Sequence, residues 1–370
     1  MPLIGIDARK YFDFGIGTYI QHLVAEIGKN PGRFDLALYV PPSDTVPVPA
    51  GSTWKIVPVP FRKYSLSELF LFTSRIHRDR IELFHEPHYT LPFHLPVPAI
   101  STVHDLIHLE LSGYFTPLQR EYARIVLRHT VAAADGVIVL TEFMKGELLR
   151  RYPDAEGKIH VIPLAADEGF KPRSEQELVP SFTKRFKLAK PFILYAGSLK
   201  PHKNIPVLLK AFARFSMRRE VDLVFTGERI AENPGLTTII QNLNLGREIR
   251  DLGKLSQEDV RAAFAAAECV VLPSEYEGFG LPMFEAMACG TPVIISDAPA
   301  LVEVAGGAAL VFERRVAESL TVLIERLFAD ASLRAEYGAK GVARALQFSW
   351  KETARRTMAL YERILTRDDR

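Results

Sequence analysis

Length, composition and charge limit what this chain can be. Its 370 residues exceed what one hydrophobic core usually serves and predict about two domains, while 48% hydrophobic and 24% charged residues are typical of a globular protein. A net charge of +2 argues against a basic platform for nucleic acid, and no run of about 18 uncharged apolar residues predicts a membrane span.

Short β-rich runs alternate with helical patterns along the chain. The predicted strands are PLIGI, DLALYV, TWKIVPV, IELFH, AISTVH, GVIVL and KIHVIPL, then PFILYAG, VDLVFTG, CVVLPS, TPVIIS and AALVF. Segments with helical spacing lie between many of them, such as TYIQHLVAEIGK, LQREYARIVLRHTVAAA and SQEDVRAAFAAAE. This alternation predicts an α/β fold with parallel sheets covered on both faces.

The charged, proline-containing run 166–190 interrupts the alternation and is predicted to be a linker. The prediction is therefore two doubly wound, Rossmann-like domains, over 1–165 and 191–345, with a ligand site in the cleft between them. The tail 346–370 contains a long amphipathic helical pattern.

Two other features bear on location. Cys269 and Cys289 both lie in apolar surroundings, which favours reduced, buried thiols in a cytoplasmic protein over a disulfide. The N-terminus lacks the pattern of a secretion signal. The segment 64–80 combines helical apolar spacing with a basic end, so it either packs on its own domain, the favoured reading, or attaches peripherally to a membrane.

The stretch SEYEGFGLPMFEAMACGTPVI carries the clearest chemistry. Glu277 lies in a predicted loop between strand and helix, and Glu285 lies about one turn inside the helix. Gly278 and Gly280 let the backbone approach a ligand, and free N–H groups at a helix start favour oxygen atoms. Two carboxylates there suit the hydroxyls of a sugar and a ribose; alternatively, Glu277 is a solvated loop residue and Glu285 interacts with the helix dipole.

The sequence EGFGLPMFE, followed by AMACGTPVI, resembles the signature of the retaining family-4 glycosyltransferases, which have the GT-B fold. The resemblance implies that Glu277 contacts the transferred sugar as a catalytic residue and that Glu285 binds the nucleotide ribose. It also implies a backbone clamp on the sugar hydroxyls, formed by Gly278, Phe279, Gly280 and Leu281.

A second stretch, PFILYAGSLKPHKNIPVLLKAF, is similar to the family's binding site for the donor diphosphate. Lys203 matches the family's lysine, and Ser198 stands where many members have arginine. One cation is therefore missing from the expected set, and His202 or Arg229 is a candidate to replace it. A cation is needed because cleavage of the sugar–phosphate bond builds negative charge on the leaving oxygen.

Near the N-terminus, GIDARKYFDFGIGTYIQHLV resembles the loop after the first strand in this family. Gly15 and Gly17 would bring backbone N–H groups and a helix start toward the donor diphosphate or the acceptor.

Five histidines cluster between residues 85 and 108. TVHDLI resembles the family's acceptor-side loop, which makes His104 the candidate catalytic residue that positions the transferred sugar. His85, His88 and Tyr89 either line the acceptor pocket or simply pack. A metal site using these imidazoles with Glu86 and Asp105 is an alternative, although the family needs no metal.

The resemblance extends over nearly the whole chain and is nearest to bacterial mannosyltransferases that use GDP-mannose. It implies a retaining transfer of a hexose from a nucleotide sugar to a saccharide or lipid-linked saccharide, with no metal or other cofactor. It places the enzyme in the cytoplasm, with peripheral contact at the inner membrane face as an open alternative, and implies that the tail packs on the N-terminal domain. Three alternatives remain: an NDP-sugar epimerase or hydrolase, a sugar phosphorylase, and a non-catalytic sugar-nucleotide-binding subunit suggested by Ser198.

Overall fold

The computed structural model describes residues 1–29, 33–48, 53–61, 63 and 66–366. The chain forms two compact units, one of Met1–Leu164 with Ser349–Arg370 and the other of Ala165–Phe348. Among the described residues, no helix is long and apolar enough to cross a membrane.

The first unit contains a parallel seven-stranded sheet in the order β3-β2-β1-β4-β5-β6-β7. Its strands are β1 Leu3–Asp7, β2 Asp35–Val40, β3 Lys55–Pro58, β4 Leu83–Glu86, β5 Ala99–Val103, β6 Gly136–Val139 and β7 Ile159–Val161. The connecting helices are α1 Ile16–Gly28, α2 Leu66–Asp79, α3 Ile107–Glu110, α4 Pro117–Ala133 and α5 Glu142–Arg151. All residues of β4, β5 and β6 are buried, as expected for a parallel sheet with both faces covered.

The second unit contains a parallel six-stranded sheet in the order β10-β9-β8-β11-β12-β13. Its strands are β8 Phe192–Gly197, β9 Asp222–Gly227, β10 Ile249–Asp251, β11 Cys269–Leu272, β12 Val293–Ser296 and β13 Leu310–Phe312. Its helices are α6 Val179–Arg185, α7 Ile205–Arg214, α8 Pro234–Asn242, α9 Gln257–Ala266, α10 Leu281–Ala288, α11 Pro299–Ala305, α12 Ala317–Ala329 and α13 Ala331–Ala345. Cys269 and Cys289 are both buried and free.

The predicted α/β class with two parallel sheets is confirmed. Every predicted strand run contains a strand, and the sequence analysis missed only β10 among the strands described. β10 lies at the sheet edge and has one apolar residue among its three, so it carries neither an alternating nor a continuous apolar pattern.

The run 166–190, predicted to be a linker, belongs to the second unit. It contains α6, whose Phe182 is 1% exposed, and Arg185 of that helix pairs with Asp259. Asp167 accepts a hydrogen bond from Arg261 at 2.5 Å. The run also contains a second buried aromatic side chain, Phe170, whose ring contacts that of Phe264. Ion pairs and buried aromatic side chains thus hold in place a run without apolar periodicity.

The last helix, α14 Trp350–Leu365, packs on the first unit. Ser349 caps its N-terminus by accepting from the backbone N–H of Glu352. The Trp350 ring stacks on His22 of α1 with a centroid distance of 4.5 Å, and the Tyr361 hydroxyl lies 2.6 Å from His85 Nδ1. The polar contacts fix the register of an amphipathic helix that buries its apolar side.

The segment 64–80 contains α2, and residues 64 and 65 lie outside the described residues. Leu69, Phe72 and Ile76 are at most 1% exposed, so the apolar side of α2 lies in the core of its own unit. This burial favours packing over membrane attachment for the segment.

Candidate active site

The loop between β11 and α10 holds the first glutamate. Leu281 begins α10, Pro282 lies in its first turn, and Gly280 precedes it with φ 87°. A Cβ on Gly280 would lie 2.3 Å from Leu301 Cδ2, so both the backbone conformation and the space require glycine. This turn leads the loop into the N-terminus of α10.

Glu277 is held by two hydrogen bonds to a single oxygen. Its Oε1 accepts from Lys203 Nζ at 2.6 Å and from Ser274 Oγ at 2.7 Å. Burial alone would raise the pKa of Glu277, but the charge and hydrogen bond of Lys203, with Ser274 and His202, outweigh burial and lower it. Glu277 is therefore an ionised carboxylate that remains 13% exposed.

Glu285 lies in α10 in a different electrostatic setting. Its side chain is partly exposed, and no hydrogen bond to it exists among the described residues. Burial, followed by the charge of Asp167, raises the pKa of Glu285 to about 7. The carboxyl therefore changes its charge within the physiological range of pH.

Lys203 lies in a short 3-10 turn, Pro201–Lys203, between β8 and α7. Asn204 follows in the left-handed conformation with φ 53°. Glu275 N donates to the carbonyl of His202 at 2.8 Å, which ties this turn to the loop that carries Glu277. Two segments 74 residues apart in sequence are thus joined by a backbone hydrogen bond and an ion pair.

Ser198 is partly exposed, and its carbonyl accepts a hydrogen bond from the Tyr195 hydroxyl at 2.5 Å. Of the two candidate replacement cations, His202 lies near enough to Glu277 to lower its pKa. Arg229 is exposed, and its Cζ lies 2.8 Å from the position that a Cβ on Gly253 would take. His202 therefore lies near the Glu277 carboxylate.

The predicted backbone clamp consists of Gly278, Phe279, Gly280 and Leu281. The Phe279 side chain is 3% exposed and packs on Phe284, with ring centroids 5.2 Å apart. That aromatic contact anchors the loop to α10.

In the first unit, His104 follows β5. Its Nε2 lies 3.0 Å from the Pro87 carbonyl oxygen; because a carbonyl can only accept, this nitrogen carries the proton. Burial, followed by the charge of Lys10, lowers the pKa of His104 to about 4 although the Pro87 contact raises it. The imidazole is therefore neutral at physiological pH, and its Nδ1 is an acceptor.

The other histidines of the cluster mainly pack. His85 is fully buried between the Tyr361 hydroxyl and Thr102 Oγ1. The His88 ring lies 4.2 Å from that of Tyr89, whose hydroxyl is 3.0 Å from His108 Nδ1. In the part of the chain that the structure describes, no group of three or more His, Cys, Asp or Glu could hold a metal ion.

Gly15 and Gly17 lie at the start of α1 for different reasons. Gly15 precedes the helix with φ 70°, and a Cβ there would meet nothing within 4 Å. A Cβ on Gly17 would lie 2.5 Å from the Tyr11 carbonyl oxygen. Gly17 thus serves close packing of the loop, and Gly15 serves the turn into the helix.

Comparisons with known proteins agree over most of the chain. A model described as Glycosyltransferase Family 4 matches residues 15–170, and one described as Glycosyl transferases group 1 matches residues 181–344. The chain is 32% identical to the O-antigen chain mannosyltransferase B of Escherichia coli over 76% of this chain and 74% of that protein. It is a family-4 glycosyltransferase.

This glycosyltransferase is also similar to a second mannosyltransferase in sequence and to a solved structure in fold. It is 33% identical to the MMP alpha-(1->4)-mannosyltransferase of Mycolicibacterium hassiacum, over 68% of this chain and 58% of that protein. A sucrose-phosphate synthase from Thermosynechococcus elongatus shares its fold with a TM-score of 0.81 and 22% identity, over 99% of this chain and 100% of the other. The family-4 glycosyltransferase therefore has the GT-B fold.

The structure of this glycosyltransferase brings Lys203 and Glu277 together and adds two residues that the sequence analysis missed. Ser274 donates a hydrogen bond to Glu277. Asp167 adds to the effect of burial in raising the pKa of Glu285. Ser274 precedes Glu277 by three residues, a spacing that could have suggested a local hydrogen bond. Asp167 belongs to no motif, because it lies in the run 166–190 that is predicted to be a linker.

Proposed function

We propose that this glycosyltransferase transfers mannose from GDP-mannose to a saccharide or lipid-linked saccharide and retains the anomeric configuration. The observation that carries the site assignment is the ion pair between Lys203 and Glu277 beside the start of α10. The choice of mannose is supported by the two similar proteins whose names describe mannosyltransferases.

In this proposal, Lys203 and Glu277 act on adjoining parts of the donor. An ammonium group has three N–H donors, and Lys203 uses one on Glu277, so the others are available to a diphosphate oxygen. Glu277 remains ionised and accepts from a hydroxyl of the transferred sugar. Lys203, helped by His202, stabilises the negative charge that grows on the leaving diphosphate.

Glu285 is proposed to bind the ribose of the nucleotide. Its carboxyl is partly exposed and has no hydrogen-bond partner among the described residues, so it can accept from ribose hydroxyls. The backbone N–H groups around Gly278 and Gly280 are proposed to bind the sugar hydroxyls between the two carboxylates. In this proposal, the spacing of Glu277 and Glu285 matches the separation of the sugar and the ribose in the donor.

For retention we propose attack from the same face as departure. The bond between the anomeric carbon and the phosphate oxygen breaks, the acceptor oxygen forms its bond on that face, and the leaving phosphate takes the acceptor proton. His104 is proposed to accept a hydrogen bond from a substrate hydroxyl through Nδ1. No metal or other cofactor takes part in the proposed reaction, and the enzyme is proposed to act in the cytoplasm, which its two buried free thiols support.

The donor assignment is tested with nucleotides and nucleotide sugars. Thermal shifts are measured with GDP, UDP, ADP and dTDP and with their sugars, and the best donor is then assayed for transfer. We expect GDP-mannose to give the largest shift and the Lys203→Ala variant to lose about 10-fold or more in donor affinity, since one charge-assisted contact is removed.

Lys200→Ala is the matched control, because Lys200 is exposed and lies in the same segment. If another nucleotide sugar gives the largest shift and the faster transfer, the GDP-mannose assignment is wrong. If Lys203→Ala binds every donor as well as Lys200→Ala does, the assignment of the diphosphate site is wrong.

A further inference from the structure

Ser274 lies between β11 and Glu277 and is almost fully buried, with 1% of its surface exposed. Its hydroxyl donates to Glu277 Oε1 at 2.7 Å, the same oxygen that accepts from Lys203 Nζ at 2.6 Å. Two donors from different segments therefore converge on one oxygen of the carboxylate.

The other oxygen, Oε2, has a different environment. Among the described residues, none donates a hydrogen bond to it, and the Glu277 side chain is 13% exposed. A carboxylate has about four lone-pair sites on its two oxygens. With Oε1 taken by the protein, Oε2 is the oxygen left for a ligand.

Ser274 is itself held by the sheet. The hydroxyl of Ser296 donates to the Ser274 carbonyl, and Ser296 is the fully buried last residue of β12. The contact joins the end of a strand to the loop that carries Glu277. Rigid support of this kind lets a buried side chain orient a neighbouring reactive group.

We propose that Ser274 is a positioning residue that, with Lys203, fixes the Glu277 carboxylate so that Oε2 faces a hydroxyl of the transferred sugar. This inference rests on the proposed function of Glu277 as the residue that contacts the sugar. It predicts that loss of the Ser274 hydroxyl weakens binding of the donor's sugar and does not change binding of its nucleotide.

The test compares binding of GDP and GDP-mannose by calorimetry, with the ratio of their dissociation constants as the readout. Ser274→Ala should leave GDP affinity unchanged and weaken the binding of GDP-mannose relative to GDP by about 10-fold. This is the size expected for one hydrogen bond to a charged group. Turnover should fall by a similar factor. Ser274→Thr, which keeps the hydroxyl, should recover most of both losses.

Two further variants separate positioning from packing. Ser274→Cys keeps the size of the side chain but donates weakly, so it should behave like Ser274→Ala, and it replaces that variant if Ser274→Ala does not fold. Thr291→Val removes another buried hydroxyl of the same unit, one that donates to the Phe264 carbonyl at 2.7 Å. This control should leave the ratio unchanged.

A titration of the unliganded protein tests the positioning role of Ser274 separately from the identity of the donor. Carboxyl ¹³C NMR follows the Glu277 titration in the unliganded protein, and Ser274→Ala should raise its pKa because a donor to the charged form is lost. Failure of the wild type to bind GDP-mannose overturns the proposed donor, and the titration then decides the role of Ser274. An unchanged Glu277 pKa, or an unchanged binding ratio in a wild type that binds GDP-mannose, overturns the positioning role.

Discussion

Candidate groups lie at or just after the ends of parallel strands in both units, but the Glu277 carboxylate of the second unit is charged whereas His85 and His104 of the first unit are neutral. In the second unit, Lys203 outweighs the effect of burial and keeps Glu277 ionised. In the first unit, burial lowers the pKa of His85 to about 3 and that of His104 to about 4, so both imidazoles stay neutral.

This difference predicts which of these groups titrate near neutral pH. In the first unit, the imidazoles of His85 and His104 keep a constant charge above about pH 5. The second unit offers a fixed charge at Glu277 and a titrating carboxyl at Glu285, whose pKa is about 7. The pH dependence of donor binding near neutrality is therefore expected to come from the second unit.

The largest expected effect follows removal of the fixed charge. Glu277→Gln keeps the shape of the side chain but loses the charge that pairs with Lys203. Transfer should fall by roughly 100- to 1,000-fold, the range seen when one preorganised electrostatic contact is removed from an active site. The measurement is kcat and kcat/KM for transfer.

Glu232→Gln is the control, because Glu232 is an exposed carboxylate of the same unit. Loss of activity to a similar degree in both variants would show that charge at Glu277 has no special role. Retention of more than about a tenth of the wild-type rate in Glu277→Gln would contradict the electrostatic contribution assigned to this residue.

A smaller effect is expected at Glu285. The ionised carboxyl accepts stronger hydrogen bonds from ribose hydroxyls, and through both oxygens, than the protonated carboxyl does, so nucleotide affinity should rise several-fold as pH increases through about 7. Asp167→Asn removes the neighbouring negative charge, lowers the pKa of Glu285 and should move this rise to lower pH. Calorimetry with GDP-mannose, whose diphosphate does not titrate in this range, measures both changes between pH 5.5 and 8.5.

Glu285→Gln provides the matched comparison, and its affinity should be flat over the same range. The role at the ribose would be refuted if this variant retained the pH dependence of the wild type. It would equally be refuted if Glu285→Gln bound GDP-mannose as tightly as the wild type does at pH 8.

The sequence predicted the fold well because many of its strands are apolar runs bounded by turn residues. β6 and β11 are apolar and buried along their whole length, so their patterns clearly indicate strands. β10 and α6 escaped prediction because β10 is a short edge strand and α6 is held largely by its contacts with the rest of the unit. Tertiary contacts of this kind leave little trace in local periodicity.

Residue types and spacing predicted candidates for the site but could not predict their electrostatics. Lys203 and Glu277 were both singled out, yet their ion pair joins positions 74 residues apart and appears only in the fold. The raised pKa of Glu285 depends on burial and on Asp167, which no motif marks. The burial of His85 could likewise not be predicted, because it depends on a contact with Tyr361 of α14, far away in the sequence.

The smallest effect on catalysis, and a clear one on stability, is expected at His104. Its folded-state pKa of about 4 lies below the ordinary histidine value of 6.5, as does that of His85 at about 3. Between pH 6.5 and about 4 the unfolded chain therefore binds protons that the folded chain does not, and the free energy of unfolding falls as pH falls. His104→Gln should reduce this slope, while a variant of the exposed His94 should not.

Tryptophan fluorescence can follow this unfolding, because both tryptophans of the chain, Trp54 and Trp350, belong to the first unit. Since His104 is already neutral above about pH 5, His104→Gln should lower the transfer rate by the same factor at every pH from 5.5 to 8. A factor that changed across that range would mean that the imidazole titrates during the reaction. The contrast between neutral imidazoles in the first unit and a charged carboxylate in the second would then fail.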